Sequence, residues 1–426
     1  MQQQFFTLPN GLQIILIDTK SFPTITTLLL VGAGSRYEDK KNNGIAHFFE
    51  HMAFKGSSKY ANSFVISSTI EGLGGAFNAF TSKDHTGYWI KATASHFPTV
   101  VDVLSDMVLH PLLLEEEINR EKGVIVEEIN MYEDMPSRKV SEIFETLLYK
   151  GNPLGYDIAG SKKTVMSFTQ KTFKDYIGEL YHPANAVLVV AGGLEQGVNY
   201  RKLIEESFGT WDGDNRKTVF EPVSEQQTEP QILVQKKKTE QAHFCLGFRA
   251  FPLMDERRYA MSVLTAILGG GMSSRLFIEV RERRGLCYYI STGRELYTDV
   301  GNVVTQAGVT NKLDKVKEAV KVILQEHKKI GTDTITAEEL SKAKELIKGR
   351  LLLSMEDSLN IASFYGSKQL LEQQVLDPAE VIKKLDSVTG EEVSAIAREV
   401  FIPGRLNFTM IGPFEKDAIT KEDLSM

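Results

Sequence analysis

Cysteine is nearly absent: Cys245 and Cys287 are the only two in 426 residues. Two thiols can neither build a disulfide framework nor supply a four-thiolate metal site, so any bound metal must be held by histidine and carboxylate. Long apolar runs are missing as well. Stretches such as 27–32 and 108–114 fall well short of the roughly 18 apolar residues of a membrane span. Residues 1–11 have no charged start followed by an apolar stretch and no Arg/Ser richness, so they read as neither a secretory signal nor a transit peptide. There is no basic surplus: 49 Lys+Arg stand against 56 Asp+Glu, a formal net charge of −7. A nucleic-acid binder would carry the opposite balance. These absences predict a soluble, cytoplasmic protein of a reducing compartment, with no membrane span and no nucleic-acid partner.

What is present is ordinary globular composition, 42% hydrophobic and 25% charged, with 33 Gly and 13 Pro. That excludes disordered and collagen-like classes. A chain of 426 residues exceeds the roughly 250–300 at which one core stops growing, so at least two domains are expected. An internal repeat places them. Ser167-Phe168-Thr169, a helical stretch, Tyr181-His182-Pro183 and a strand ending at Gly192 recur as Ser387-Val388-Thr389, a helical stretch, Phe401-Ile402-Pro403 and a strand ending at Gly412, always 220 positions later. A constant offset near half the chain length favours duplication. The polar stretch 213–229 suits a linker between domains 1–212 and 230–426. In each half the strands and helices cluster rather than alternate, which predicts α+β domains with largely antiparallel sheets packed with helices.

His47-Phe48-Phe49-Glu50-His51 carries the chemistry. On a helix His47 and His51 stand one turn apart on the same face, so both imidazoles can reach one tetrahedral metal, with Glu50 beside them. This is the H-x-x-E-H order of the inverzincins. A catalytic zinc also needs a third protein ligand and an open position for water. Glu121, Glu127 and Glu128 on the next long helix are the candidates. The first and last share a face, Glu127 points about 100° from Glu128, and periodicity alone does not choose between the faces. The run Gly269-Gly270-Gly271 lacks the Gly-Lys-Ser/Thr of a phosphate loop, and no dinucleotide pattern follows. His85, His96, His110, His182, His243 and His327 are scattered and read as structural or surface residues.

Over most of its length the chain resembles the pitrilysin and insulysin family of zinc peptidases, and more closely the branch that includes mitochondrial processing peptidase and its bacterial relatives. In that family a Glu ligand follows the second motif histidine by about 76 or 77 positions, and Glu128 stands 77 after His51, so the resemblance implies Glu128 as third ligand. It implies that Glu121, seven residues earlier, orients a ligand histidine. The segment Gly74-Gly75-Ala76-Phe77-Asn78-Ala79-Phe80-Thr81 resembles the family's edge strand, where the backbone at Asn78 and Ala79 would pair with an extended substrate. The stretch from Leu268 to Phe277, leading into Arg281 and Tyr288, is similar to an element whose Arg and Tyr reach the active site from the other domain.

The implied molecule is a clam shell of two duplicated domains, only the first holding metal, with one Zn2+ per chain bound by His47, His51 and Glu128. The implied reaction is hydrolysis of extended peptides or unfolded segments inside a closed chamber. Glu50 would take the proton of the zinc-bound water and pass it to the leaving amine. Arg281 and Tyr288 would stabilise the oxyanion or hold the peptide. Both elements stand intact in one chain, which favours a homodimer. The rival is a non-catalytic structural or partner-dependent subunit of a processing-peptidase-like complex. Acids clustered over 115–134 would suit basic peptides.

Overall fold

The computed structural model describes residues 1–213, 219–224 and 226–425; residues 214–218 and 225 of the expected linker lie outside them. The chain forms two compact units, and each is discontinuous in sequence. The first comprises Met1–Ile129, Tyr156–Glu221 and Ser354–Leu376; the second comprises Asn130–Gly155, Pro222–Leu353 and Asp377–Met426.

The first unit is built on six strands, β1 (Gln2–Thr7), β2 (Gln13–Asp18), β3 (Thr24–Val31), β4 (Ala76–Thr81), β5 (Thr86–Thr93) and β6 (Ala186–Gly192), in the order β1-β2-β6-β3-β5-β4. Only β2 and β6 pair in parallel. The second unit holds β7 (Gln231–Lys236), β8 (Gln241–Ala250), β9 (Cys287–Leu296), β10 (Gly301–Thr310) and β11 (Asn407–Gly412), in the order β7-β11-β8-β10-β9. There β7 and β11 form the parallel pair. Without β1, the two orders coincide position for position. The fold is α+β, two similar units with largely antiparallel sheets packed with helices.

Residues 14–17 of β2, 28–31 of β3 and 186–191 of β6 are apolar without alternation because both sheet faces are covered there. In the first unit Ile14, Leu16, Leu29, Leu188 and Val190 face one core, while Ile15, Ile17, Leu28, Leu30, Val187 and Val189 face another. The second face is closed by the helix Ser358–Ser367 through Ile361, Ala362 and Tyr365. In the second unit the helix Pro136–Leu148 closes the corresponding face, with Val140, Phe144 and Leu148 against Cys245 and Ile411. The units are accordingly not the contiguous stretches on either side of 213–229. Each sheet has a second apolar face, and the helix that covers it comes from the opposite half of the sequence. Among the described residues no helix is long and apolar enough to cross a membrane.

Candidate metal centre

The H-x-x-E-H segment lies on the helix Ile45–Met52. Ile45, Phe48, Phe49 and Met52 are buried and anchor it. Phe48 packs edge-on against Phe173 at 5.0 Å, and Phe49 against Tyr181 at 4.9 Å. Its N-terminus is capped by a carboxylate brought in from outside the helix. Glu38 accepts hydrogen bonds from the Gly44 amide through Oε2 (2.8 Å) and from the Ala46 amide through Oε1 (2.9 Å). Two orphan amides are thereby satisfied by carboxyl oxygens at the positive end of the helix dipole. Burial nonetheless pushes the Glu38 carboxyl up to about 8, against the pull of these donors. Gly44 has φ +97°, and a Cβ there would lie 2.8 Å from the Ala159 carbonyl oxygen, so no other residue fits this entry turn.

On this rigid helix His47 and His51 turn their rings toward each other, with centroids 4.7 Å apart. Nε2 of His47 and Nε2 of His51 each lie 3.5 Å from Oε2 of Glu128. A tetrahedral ion with bonds of about 2.1 Å spaces its ligand atoms about 3.4 Å apart. Both nitrogen-to-carboxylate distances match that spacing, the three donor atoms all lie within 4.8 Å of one another, and the donor set, two imidazoles and a carboxylate, is one that zinc accepts. Among the described residues this is the one group of three or more His, Cys, Asp or Glu side chains that could hold a metal. Glu128 comes from the helix Glu115–Glu133. Glu121 on the same helix is buried, and Glu127 is exposed. The inward face is therefore that of 121 and 128.

Glu121 uses both oxygens. Oε1 lies 2.9 Å from Nδ1 of His51, and Oε2 lies 2.5 Å from the Lys55 ammonium. Burial alone would raise the Glu121 carboxyl, but the His51 and Lys55 contacts outweigh it and hold it below the usual range. Burial likewise lowers His51, yet the Glu121 hydrogen bond and the charges of Glu128, Glu121 and Glu50 raise it overall. Glu50 is held by Thr81, whose hydroxyl donates to Oε2 at 2.6 Å. Thr81 ends β4, on which the metal helix packs. Sequence reading gave no role to Thr81, Lys55 or Glu38. Thr81 closes the quoted 74–81 segment, which is the signal that pointed nearest to it.

Asn78 and Ala79 lie on β4, which is the edge of its sheet and among the described residues pairs only with β5. The Asn78 side chain accepts from the Ala79 amide at 2.9 Å. Arg281 and Tyr288 belong to the second unit. Arg281 lies on a π-helical turn, Phe277–Glu282, with its guanidinium 4.7 Å from the Phe277 ring and 5.8 Å from the Tyr288 ring. Tyr288 is 73% exposed, unusual for a tyrosine on a strand. None of the six other histidines joins a metal-type cluster among the described residues. His327, for instance, is buried and stacks on Phe401 at 4.4 Å.

Residues 13–162 match the family model described as Insulinase (Peptidase family M16), and residues 167–347 match Peptidase M16 inactive domain. A protein of Bacillus subtilis (strain 168) named an uncharacterized zinc protease is 38% identical over 400 residues, covering 93% of this chain and 95% of the relative. A Streptomyces coelicolor protein, likewise named an uncharacterized zinc protease, is 32% identical over 417 residues, covering 96% and 89%. Among solved structures, a protease from Helicobacter pylori superposes with a TM-score of 0.90 at 23% identity, over 97% of this chain and 100% of the other. A protein described as a peptidase M16 inactive domain, from Pseudomonas fluorescens, gives 0.88 at 19% identity, over 97% and 99%. At those identities the two structures speak for the fold alone.

Proposed function

The chain belongs to the insulinase-type peptidase family M16, and from that membership and the geometry of the centre we propose that it is a zinc endopeptidase acting on extended or unfolded polypeptide. The observation that carries this reading is the convergence of Nε2 of His47, Nε2 of His51 and Oε2 of Glu128, with the carboxylate of Glu50 on the same helix. These three residues would hold one zinc per chain. When bound there, zinc supplies Lewis acidity that lowers the pKa of water and polarises a carbonyl.

The chain's own residues supply the rest. Thr81 donates to Oε2 of Glu50, which leaves Oε1 as the oxygen that accepts a proton from the attacking water and returns it to the leaving amine. Glu121 keeps Nδ1 of His51 engaged, so that Nε2 is the ligating atom. The open edge of β4 offers backbone at Asn78 and Ala79 to an extended segment, as an added strand; the Asn78 side chain must first release the Ala79 amide. Arg281 and Tyr288 hold the substrate carbonyl or its developing negative charge. The same reading takes the active form as a cytoplasmic homodimer, since one chain carries both the metal trio and the Arg281/Tyr288 pair.

The test is cleavage of a quenched, unstructured peptide of about 15 residues, long enough to span an extended site. Wild type is expected to cleave it, a chelator to stop it, and Glu50→Gln to keep its zinc while kcat falls by about 10³-fold. A wild-type chain that binds zinc and cleaves none of a varied peptide set points instead to a subunit that is structural or needs a partner.

A further inference from the structure

Lys55 stands just past the metal helix, in a turn closed by hydrogen bonds from the Phe54 amide to the His51 carbonyl (3.2 Å) and from the Lys55 amide to the Met52 carbonyl (3.1 Å). The next residue, Gly56, has φ +125°, and a Cβ there would meet the Ala61 carbonyl oxygen at 2.7 Å. The chain therefore turns away at this point. Its ammonium is 2.5 Å from Oε2 of Glu121, a carboxylate whose side chain is only 4% exposed. Oε1 of the same carboxylate meets Nδ1 of His51 at 2.9 Å. Residues 51, 121 and 55 thus form one line from a ligand imidazole, through a buried anion, to a cation.

We propose that Lys55 is a positioning residue of the metal centre: by holding Glu121 through Oε2 it keeps Oε1 on Nδ1–H of His51, fixing the tautomer whose Nε2 is free to bind a cation. The inference rests on His47, His51 and Glu128 being the metal ligands. Two physical arguments support it. A buried carboxylate whose second oxygen lost its counter-charge is drawn toward solvent, and Nδ1 would lose its acceptor with it. The formal charges also match: Glu50, Glu121 and Glu128 bring three negative charges, which a divalent ion and Lys55 together neutralise. Neither argument applies to a lysine that merely solubilises a helix end.

The experiment is zinc affinity of the full chain, by competition with a chromophoric chelator at one pH, alongside histidine 15N–1H NMR of the metal-free chain. Lys55→Met is expected to weaken zinc binding about tenfold or more and to abolish the hydrogen-bonded Nδ1–H signal of His51. Lys55→Arg, which keeps the charge, recovers most of both. In a Glu121→Gln background, Lys55→Met adds nothing further, because the anion it serves is gone. Lys55→Gln carries the same expectations should Lys55→Met fail to fold. A folded Lys55→Met or Lys55→Gln chain with wild-type zinc affinity overturns the proposal, as does an equal loss with and without Glu121. A wild-type chain that binds no zinc overturns the metal assignment beneath it.

Discussion

The two units share one strand order, yet among the described residues only one carries a metal-type centre. In the first, the helix that follows β3 and packs on the edge strand β4 reads His47-Phe48-Phe49-Glu50-His51. In the second, the helix Arg258–Gly269 follows β8 and packs on the edge strand β9, and places Ser262 and Thr265 in its buried face. The Ser262 hydroxyl there accepts hydrogen bonds from Arg294 of β9, at 2.9 Å from Nε and 2.6 Å from Nη2. The same architecture thus holds a cationic side chain where the other holds the candidate ligands for a cation. The fold supplies the juxtaposition of helix and edge strand, and a few side chains decide what it is used for.

The largest effect that would sharpen this comparison concerns stability. Each unit depends on a helix from the opposite half of the sequence, and each contact is made close by a glycine. A Cβ at Gly247 would lie 2.9 Å from Cζ of Phe144, and one at Gly366 would lie 2.7 Å from Cδ1 of Leu30. Phe144→Ala is expected to destabilise the second unit by about 3–5 kcal/mol, and Ile361→Ala the first by about 2–5 kcal/mol. Native-state hydrogen exchange reads the units separately. Loss of protection in β8 and β11 without loss in β3 and β6 for Phe144→Ala marks two independent cores. Equal loss in both would mean that the units open as one.

A second test separates ligand-bearing from substrate-handling side chains. Arg281→Ala is expected to lower kcat/KM by about 100-fold with zinc content unchanged, and Tyr288→Phe by less. If either variant loses zinc, the division of labour between the units fails.

How much of this was legible beforehand follows from the range of each interaction. The candidate metal pair could be read directly, since His47 and His51 are related by one helical turn and nothing else. The duplicated sheet was legible through the repeat at a constant offset. Choosing Glu128 over Glu127 needed a resemblance, because helix periodicity says which acids share a face and not which face turns inward. Thr81, Lys55 and Glu38 stayed silent because their partners are set by tertiary packing, and an isolated Thr, Lys or Glu has the same appearance on any surface. The crossing helices were hidden for a related reason. An apolar stripe on Pro136–Leu148 shows that the helix covers something, but not which sheet.

The smallest expected effect is in the pH dependence of the metal-free chain, and it distinguishes the units by sign. In the second unit His327 is enclosed, and burial pushes it down to about 3 from an ordinary 6.5. The unfolded chain therefore binds the proton first, so this stability is full above pH 6.5 and is lost as pH falls toward 3. By pH 5 the loss amounts to about 2 kcal/mol. His243, also lowered by burial, acts in the same direction. In the first unit burial pushes His85 down to about 4, but His51 is raised overall by Glu121, Glu128 and Glu50. A raised histidine contributes stability that is full below pH 6.5 and fades as pH rises through its folded value, so it offsets His85, and the buried Glu38 carboxyl, held up to about 8, acts with it in the same direction. Between pH 7.5 and 5 the second unit should therefore weaken more than the first, and His327→Gln should flatten its slope. Hydrogen exchange at the two pH values measures both units at once, and equal slopes would remove His51, Glu38 and His327 as the source of the asymmetry. Zinc should abolish the offset in the first unit, because an imidazole whose Nε2 holds a metal cannot also take up a proton there.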